Sequence, residues 1–206
     1  MNIIYLLFHG LSPYSGISKK ILHQVKGFEA CGHRVSLCTY SIADNGHRVR
    51  MINNEIIEDY GTGKPAAAKR RVSYQCIYRY AVTHQVELIY VRSFHNANPF
   101  TIRLFSKLRK AGIKIAMEIP TYPYDSEYAG FPLVTRLGIQ VDKVFRKTLA
   151  KHVNAIVTFS DYHCIFGQRT IQISNGVDFD SIPLKKTVAK NTSVIHLLGV
   201  AEVHYW

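Results

Sequence analysis

Residues 1–18, MNIIYLLFHGLSPYSGIS, join a short apolar run to a loop that contains two glycines. The run at residues 3–8 has the length and composition of a buried β-strand, and no basic leader or signal-peptide cleavage site accompanies it. Helical periodicity follows, with four apolar side chains on one face: Ile21, Leu22, Val25 and Phe28. A buried strand followed by an amphipathic helix is one βα unit, the repeating element of a parallel sheet.

Apolar runs and amphipathic stretches alternate along the rest of the chain. Five further strands are predicted at residues 34–40, 88–91, 114–119, 155–160 and 170–174. Helices are predicted at residues 66–84, 99–110 and 133–151, and residues 49–60 predict one or two short strands. In the helix at residues 66–84, four side chains are expected to point inward: Val72, Cys76, Tyr80 and Val82. Six strands with intervening helices predict a doubly wound, Rossmann-like α/β domain with a mostly parallel sheet flanked by helices.

The last 22 residues break this pattern. Residues 185–193 are polar and resemble a linker, and residues 194–200 form a new apolar run. A strand without a following helix leaves its faces uncovered. We therefore expect a domain at residues 1–184, a linker at 185–193 and, at 194–206, the first strand of a truncated second domain. The alternative is that this strand extends the edge of the first sheet.

Composition limits the classes of protein that fit. The 206 residues are 47% hydrophobic, which excludes disorder, and no run of about 18 apolar residues indicates a membrane-spanning helix. We expect a cytoplasmic protein. Lys and Arg number 26 against 14 acidic residues, which gives a net charge of +12. This charge favours nucleic acid, an anionic membrane or phosphorylated substrates as partners. The alternative is that it serves solubility alone.

The four cysteines do not indicate a metal or redox site. Cys31, Cys38, Cys76 and Cys164 are far apart and form no C-x-x-C pair. Cys38 and Cys164 lie in or beside apolar runs, where we expect them to be buried as small hydrophobic residues. No metal and no cofactor is predicted.

In open parallel sheets, ligands bind beyond the carboxyl ends of the strands. The first candidate there is the glycine loop, defined as Ser15, Gly16, Ile17 and Ser18. Glycine permits close approach of the backbone, and a helix N-terminus suits a phosphate. The loop matches neither G-x-G-x-x-G nor the P-loop pattern, so Ser15 as an N-cap with Gly16 easing the turn is the structural alternative.

Two further loops contain polar residues that could bind a ligand. After the strand at residues 88–91, Arg92 can grip a phosphate or carboxylate, or bind backbone carbonyls instead. Residues 118–127 combine carboxylates with tyrosines, which offer flat surfaces and hydroxyl groups to sugar rings, although a purely structural proline-rich loop has the same composition. The ten histidines are scattered along the sequence, so no Ser/His/Asp catalytic triad is predicted.

The helix at residues 133–151 carries an apolar stripe: Val134, Leu137, Val141, Val144 and Phe145. Four basic residues lie beside it: Arg136, Lys143, Lys147 and Lys151. This pattern suits an anionic membrane surface. We favour the commoner arrangement, in which the stripe faces the core and the basic residues face water.

Taken in order, these segments resemble the N-terminal half of retaining glycosyltransferases of the GT-B fold, the "group 1" or family 4 class. The resemblance covers essentially the whole chain and depends on the ordered set of segments. They are the first strand with the glycine loop, FEACGHRV at 28–35, IYVR at 89–92, EIPTYPY at 118–124 and ISNGVD at 173–178. Residues 194–200 look like the opening strand of the family's second domain.

The resemblance implies an enzyme whose active site lies between two domains. The glycine loop would approach the diphosphate of a UDP- or GDP-linked sugar, and Asn175 and Gly176 would border the interdomain cleft. Acceptor-binding residues would be His9, Arg92, His95, Glu118, Tyr122, Tyr124, Asp125 and Glu127. Many family members have a histidine roughly where this chain has Glu118, so a histidine's role does not transfer, and Glu118 is only a weak catalytic candidate.

The implied reaction transfers a sugar, with retention, to a glycan or a lipid-linked, phosphate-bearing acceptor, as in surface-polysaccharide biosynthesis. The enzyme would work in the cytoplasm, in peripheral contact with an anionic membrane. The family's E-x7-E carboxylates and donor-gripping Arg/Lys belong to the second domain, so the 206-residue chain alone is expected to be inactive.

Two other classes stay open. A stand-alone Rossmann-like binding module, which is not an enzyme, would have the same strand and helix pattern. A nucleic-acid binder is motivated by the charge alone, because the chain has no RRM signature, zinc-finger pattern or helix-turn-helix pair. We therefore expect no nucleic acid among the partners.

Overall fold

The computed structural model describes residues 1–93, 95–123, 133–174, 176 and 178. The expected linker and the strand at residues 194–200 lie outside this part of the chain, as does the predicted domain end at residue 184. Within the described residues, strands and helices form an α/β structure with one sheet.

Nine strands are present in the described residues. They are β1 (Asn2–Leu6), β2 (Arg34–Ile42), β3 (Arg48–Ile52), β4 (Glu55–Asp59), β5 (Leu88–Arg92), β6 (Lys114–Ile119), β7 (Ala155–Thr158), β8 (Cys164–Ile165) and β9 (Gln168–Gln172). Their order in the sheet is β4-β3-β2-β1-β5-β6-β7-β9-β8. Six of them run parallel, and β3, β4 and β8 are antiparallel to their neighbours. This confirms the mostly parallel sheet, with all six predicted strands in place.

The predicted short strands at residues 49–60 form the hairpin β3–β4. Its turn residues Asn53 and Asn54 have φ angles of 48° and 71°, the left-handed conformations that a tight two-residue hairpin requires. The Asn53 side chain also accepts a 2.8 Å hydrogen bond from the backbone N–H of Leu37, which attaches the turn to β2.

Five helices lie in the described part of the chain. They are α1 (Gly16–Ala30), α2 (Gly63–Val72), α3 (Gln75–Thr83), α4 (Pro99–Lys110) and α5 (Leu133–Ala150). α4 has its predicted bounds, and its N-terminus is fixed by a capping box in which Asn98 and Thr101 satisfy each other's backbone N–H groups.

The single helix predicted at residues 66–84 is wrong, because the chain breaks between α2 and α3. Ser73 is extended, with φ −102° and ψ 109°, and the break allows the Tyr74 ring to enter the core. The helical periodicity therefore does not continue from α2 into α3. Cys76 is buried as expected and Tyr80 packs against the core, but Val72 and Val82 are exposed.

Helices cover both faces of the sheet. α1 packs on one face, where Ile21 meets the strand residues Ile3, Tyr5 and Leu7. α3, α4 and α5 pack on the other face, against a larger core that includes Ile4, Leu6, Ile89 and Val91. The parallel strands β1 and β5, which are adjacent in the sheet, are thus followed by helices α1 and α4 on opposite faces.

The apolar stripe predicted to bury α5 faces away from the core. Leu137, Val141 and Val144 are 66%, 44% and 70% exposed, and of the stripe's described side chains only Phe145 packs against the core. The side chain of Val134 lies outside the described part of the structure. Buried residues of α5 lie on the opposite side: Ile139, Asp142, Leu149 and Ala150. The helix carries apolar residues on both sides, so periodicity alone could not select the side that the sheet covers.

The cysteine prediction is half correct. Cys38 is buried, but Cys164 is exposed on β8, the last strand of the sheet order. Cys76 is buried and Cys31 exposed, and all four are free thiols. Successive side chains of a strand point to opposite faces, and on β8 it is Ile165 that is buried, which leaves Cys164 exposed.

Candidate functional site

The candidate site lies at the carboxyl ends of β1 and β5. These strands are neighbours, and the helices that follow them lie on opposite faces, which is the arrangement at which open α/β sheets bind ligands. The glycine loop follows β1, and residues 93–98 follow β5. The structure therefore brings the first two predicted loops to one edge of the sheet.

The glycine loop begins helix α1 and is open to solvent. Ser15 is the N-cap, and its Oγ accepts a 3.4 Å hydrogen bond from the Ser18 N–H. Ser18 is buried, and its own Oγ accepts a 2.9 Å bond from the Ser12 N–H, so these two serines hold the loop in shape. A Cβ built on Gly16 would have no atom within 4 Å, and Ile17 is exposed. The structural N-cap role and the space for a ligand therefore coexist.

Beneath this edge lies a buried network centred on Glu118 of β6. Its carboxylate pairs with the guanidinium of Arg92, accepts a 2.7 Å hydrogen bond from the Tyr90 hydroxyl and accepts a 2.8 Å bond from Gln24 of α1. Tyr5 donates a 2.5 Å bond to Gln24. Glu118 is 0% exposed and Arg92 is 7% exposed.

This burial limits what Glu118 and Arg92 can do chemically. Three donors already bind the Glu118 carboxylate, so a ligand does not reach it. A carboxylate in this position holds neighbouring side chains in place and is poorly suited to catalysis. Burial and the charge of Glu118 raise the pKa of Tyr90 and of Tyr5 far above the usual range, so both act as neutral phenols.

Lys20 is a cation near this edge that sequence analysis did not single out. Its Nζ lies 3.4 Å from the centroid of the Phe159 ring, at the end of β7. Burial lowers the pKa of Lys20, and the charge of Glu118 opposes that change. The helical periodicity of α1 gave no signal for it, because the contact depends on how α1 crosses the sheet.

A groove of about 430 Å³ lies beyond the carboxyl ends of β7 and β9. Phe159 is among its lining residues, so Lys20 stands at its margin. The other lining residues are Ser160, Asp161, Gln172, Ile173 and Ser174. The volume falls within the range of small-molecule sites.

The two predicted histidines have different surroundings. His9 is half-buried, and its Nδ1 lies 2.7 Å from the carbonyl oxygen of Gly10. His95, in the loop after β5, has a φ of 44°, and its Nδ1 lies 4.0 Å from Oδ2 of Asp142 on α5. Asp142 is buried and accepts a 2.9 Å bond from the Ala97 N–H. An imidazole beside a buried carboxylate is an arrangement that can orient a proton acceptor, and the sequence offered no sign of Asp142.

The remaining predicted residues are partly described. Tyr122 packs edge-on against Tyr162 and Phe166, with ring centroids 5.0 and 5.6 Å apart. Tyr124, Asp125, Glu127 and Asn175 lie outside the described residues. Gly176 is exposed, and Asp178 forms a 2.9 Å ion pair with Lys26, which places the Asp178 carboxylate beside α1.

In the part of the chain that the structure describes, no group of three or more His, Cys, Asp or Glu side chains is placed to hold a metal ion. None of the helices described above combines the length and hydrophobicity needed to cross a bilayer. Comparison with protein-family models, with curated proteins and with solved structures found no match to this chain.

Proposed function

We propose that this chain is the acceptor-side domain of a retaining glycosyltransferase of the GT-B fold. It would transfer a sugar from a UDP- or GDP-linked donor to a glycan or lipid-linked acceptor in surface-polysaccharide assembly. The observation that carries the proposal is the position of the glycine loop. The segment that resembles the family's donor loop opens α1 at the switch point of the sheet, with free space at Gly16.

Exposed apolar residues on this side of the molecule support a second domain. Tyr14 is 94% exposed and Ile17 54% exposed beside the glycine loop, and Ile171 and Ile173 are exposed at the end of β9. Exposed apolar groups at one edge are typical of a surface that a partner or another domain covers. In this proposal the donor-binding domain, with the E-x7-E carboxylates, packs over this edge.

In this proposal the residues at the site act through electrostatic stabilisation of the substrates. The free N–H groups in the first turn of α1, together with the helix dipole, would stabilise the charge of the departing diphosphate. Lys20 would add a cation on the same side of the sheet. His95 would contact the acceptor, and the buried Glu118 would hold Arg92 and Tyr90 in position instead of touching substrate.

A membrane-bound acceptor is favoured by the exposed stripe of α5. Its apolar side chains project from the side opposite the core, two exposed basic residues lie on the helix, Arg136 and Lys147, and the exposed Lys151 directly follows it. Apolar side chains beside cations complement the acyl chains and headgroups of an anionic bilayer. The enzyme would therefore work at the cytoplasmic face of a membrane.

The glycine loop gives the test of the donor site. A Gly16→Val side chain enters open space in the free domain, so it should leave folding intact but occupy the position of the diphosphate. Gly27→Val is a matched control, because Gly27 lies in the same helix and a Cβ there also meets nothing within 4 Å. In the natural full-length polypeptide, we expect Gly16→Val to reduce sugar transfer at least tenfold and Gly27→Val to change it less than about twofold. Equal turnover in both variants would remove the loop from the site.

The natural length of the polypeptide separates this proposal from the stand-alone binding module. The proposal expects a product of about twice this length with a second α/β half. A natural product that ends at Trp206 and binds its ligand tightly without turnover would favour the module.

A further inference from the structure

Arginine side chains gather around Tyr40 at the carboxyl end of β2. The Nη1 of Arg48 donates a 2.7 Å hydrogen bond to the Tyr40 hydroxyl, and the guanidinium carbon of Arg70 lies 4.2 Å from the centroid of the Tyr40 ring. Arg50 is the residue that pairs with Tyr40 across β2 and β3. One buried phenol thus has guanidinium groups against both its hydroxyl and its ring face.

Two of these arginines have buried nitrogen atoms without a hydrogen-bond partner. Arg50 is 1% exposed, and its Nη1 donates a 2.7 Å bond to the carbonyl oxygen of Leu7. The Nε atoms of Arg50 and of Arg70 are buried and have no acceptor among the described residues. Buried donors in folded proteins are nearly always satisfied. Arg50 is fully enclosed by protein, whereas Arg70 is half-buried, so the Nε of Arg70 points to an acceptor that is not part of the described protein.

The positive charge of this cluster is not neutralised within the described structure. None of the ion pairs among the described residues involves Arg48, Arg50, Arg70 or the neighbouring Arg71. Burial, together with the charges of Arg71, Arg48 and Arg50, lowers the pKa of Arg70. Like charges held together in this way are stabilised by a bound anion.

The cluster adjoins the loop that follows β1. The Tyr40 N–H donates a 3.3 Å bond to the carbonyl oxygen of His9, and a Cβ on Gly10 would lie only 2.9 Å from the Tyr40 carbonyl oxygen. The arginines therefore lie at the ligand-binding edge of the sheet, next to the start of the first loop. They lie on the β2 side of β1, whereas the candidate site lies between β1 and β5.

We propose that Arg48, Arg70 and Arg71, supported by the buried charge of Arg50, bind a phosphate group carried by a phosphomonoester or diphosphate. A phosphate dianion accepts from several guanidinium forks at once, which suits a cluster of this charge better than a carboxylate does. In the glycosyltransferase described above, this group would be the phosphate of the acceptor, an assignment that rests on the proposed function.

Phosphate binding can be tested on the 206-residue chain without donor or turnover. We would titrate it with inorganic phosphate, glucose 1-phosphate and monomeric short-chain phosphatidic acid, measuring affinity by calorimetry and the ¹⁵N–¹H signals of the arginine Nε groups by NMR. Binding should shift the Nε–H signal of Arg70, the half-buried arginine of the cluster. Tighter binding of the lipid would assign the phosphate to a headgroup, and tighter binding of the sugar phosphate would assign it to a soluble ester.

Charge-matched variants distinguish a site from general attraction. Arg70→Gln removes a charge-assisted donor and should weaken phosphate binding roughly tenfold or more. Arg71→Gln alters an exposed side chain, so it tests the cluster even where Arg70→Gln perturbs folding. Arg34→Gln removes the same charge at the opposite end of β2 and should change affinity less than about twofold.

Equal weakening by Arg34→Gln and Arg70→Gln, or an unchanged Nε–H signal of Arg70 at saturating phosphate, would overturn the proposal. Because no sugar transfer is measured, failure of the transferase proposal leaves this result standing. Conversely, an active transferase that binds no phosphate at this cluster would refute only the present inference.

Discussion

Gln24 of α1 donates a 2.8 Å hydrogen bond to Glu118 of β6, across 94 residues of chain. Because Glu118 also pairs with Arg92 of β5, one buried carboxylate joins a helix and two strands directly below the candidate site. The carboxylate thereby fixes the position from which α1 presents the glycine loop.

The first prediction concerns the stability supplied by this carboxylate. Glu118→Ala leaves Arg92 buried without its partner, so it should lower the free energy of unfolding by about 3–5 kcal/mol. Urea denaturation followed by circular dichroism measures the change. Glu29→Ala on the exposed side of α1 is the control and should cost less than about 0.5 kcal/mol. A loss for Glu118→Ala as small as that of the control would show that the network does not stabilise the fold.

The second prediction concerns alkaline pH. Burial and the charge of Glu118 raise the pKa of Tyr90 in the folded protein above its ordinary value of 10.0. Above about pH 10, the unfolded chain therefore loses a proton that the folded chain keeps, so stability falls as pH rises, by about 1.4 kcal/mol per pH unit for each such tyrosine. Below pH 9 this contribution is constant.

Free energies of unfolding measured between pH 8 and pH 11 test whether stability falls as the pH rises. Tyr90→Phe should make the decline less steep, whereas Tyr14→Phe, at an exposed tyrosine, should leave it unchanged. An identical slope in wild type and Tyr90→Phe would mean that Tyr90 does not contribute.

The third prediction contrasts two glycines of the first loop. Gly10→Ala places a Cβ 2.9 Å from the Tyr40 carbonyl oxygen and should destabilise the protein by about 1–3 kcal/mol, because backbone must move. Gly16→Ala enters open space in the first turn of α1 and should be neutral or stabilising by up to about 1 kcal/mol. Thermal denaturation of both variants decides the matter. The reverse order of stability would mean that the loop packs differently from the structure described.

The fourth prediction concerns α5 and the membrane. The chain should cosediment with vesicles rich in phosphatidylglycerol and be released by salt. Leu137→Asp combined with Val144→Asp should reduce binding more than about tenfold, since burying each such side chain is worth about 1.5–3 kcal/mol.

The matched control is Leu22→Asp combined with Val82→Asp, which also places two charges at exposed apolar positions but on other helices. It should bind vesicles like the wild type. Equal binding by both double variants would rule out α5 as the membrane-facing helix.

Much of the fold follows from local patterns. The apolar run of β6 and the amphipathic stretch of α4 carry their own signals, and the bounds of both elements were predicted correctly. The break at Ser73 and the exposed side of α5 were not predicted. Both depend on which parts of the sheet surface are available for these helices to cover. The sequence contained no local signal for that choice.

The candidate site was predictable only in part. Arg92 was singled out because it follows a buried strand, and Glu118 because it is a carboxylate near the tyrosines of residues 118–127. Their pairing depends on the register of β5 and β6, in which they are direct partners. Asp142, Lys20 and the arginines around Tyr40 reach their positions through tertiary packing. No spacing along the chain brings these side chains together.

The stereochemistry of the product distinguishes retaining sugar transfer from every alternative. The natural full-length polypeptide would be incubated with a panel of UDP- and GDP-linked sugars and a lipid-linked phosphate-bearing acceptor, and the anomeric configuration of the product determined by NMR. We expect transfer from one donor with the donor's configuration retained. Transfer with inversion, or no transfer from any donor by the folded polypeptide, would contradict it.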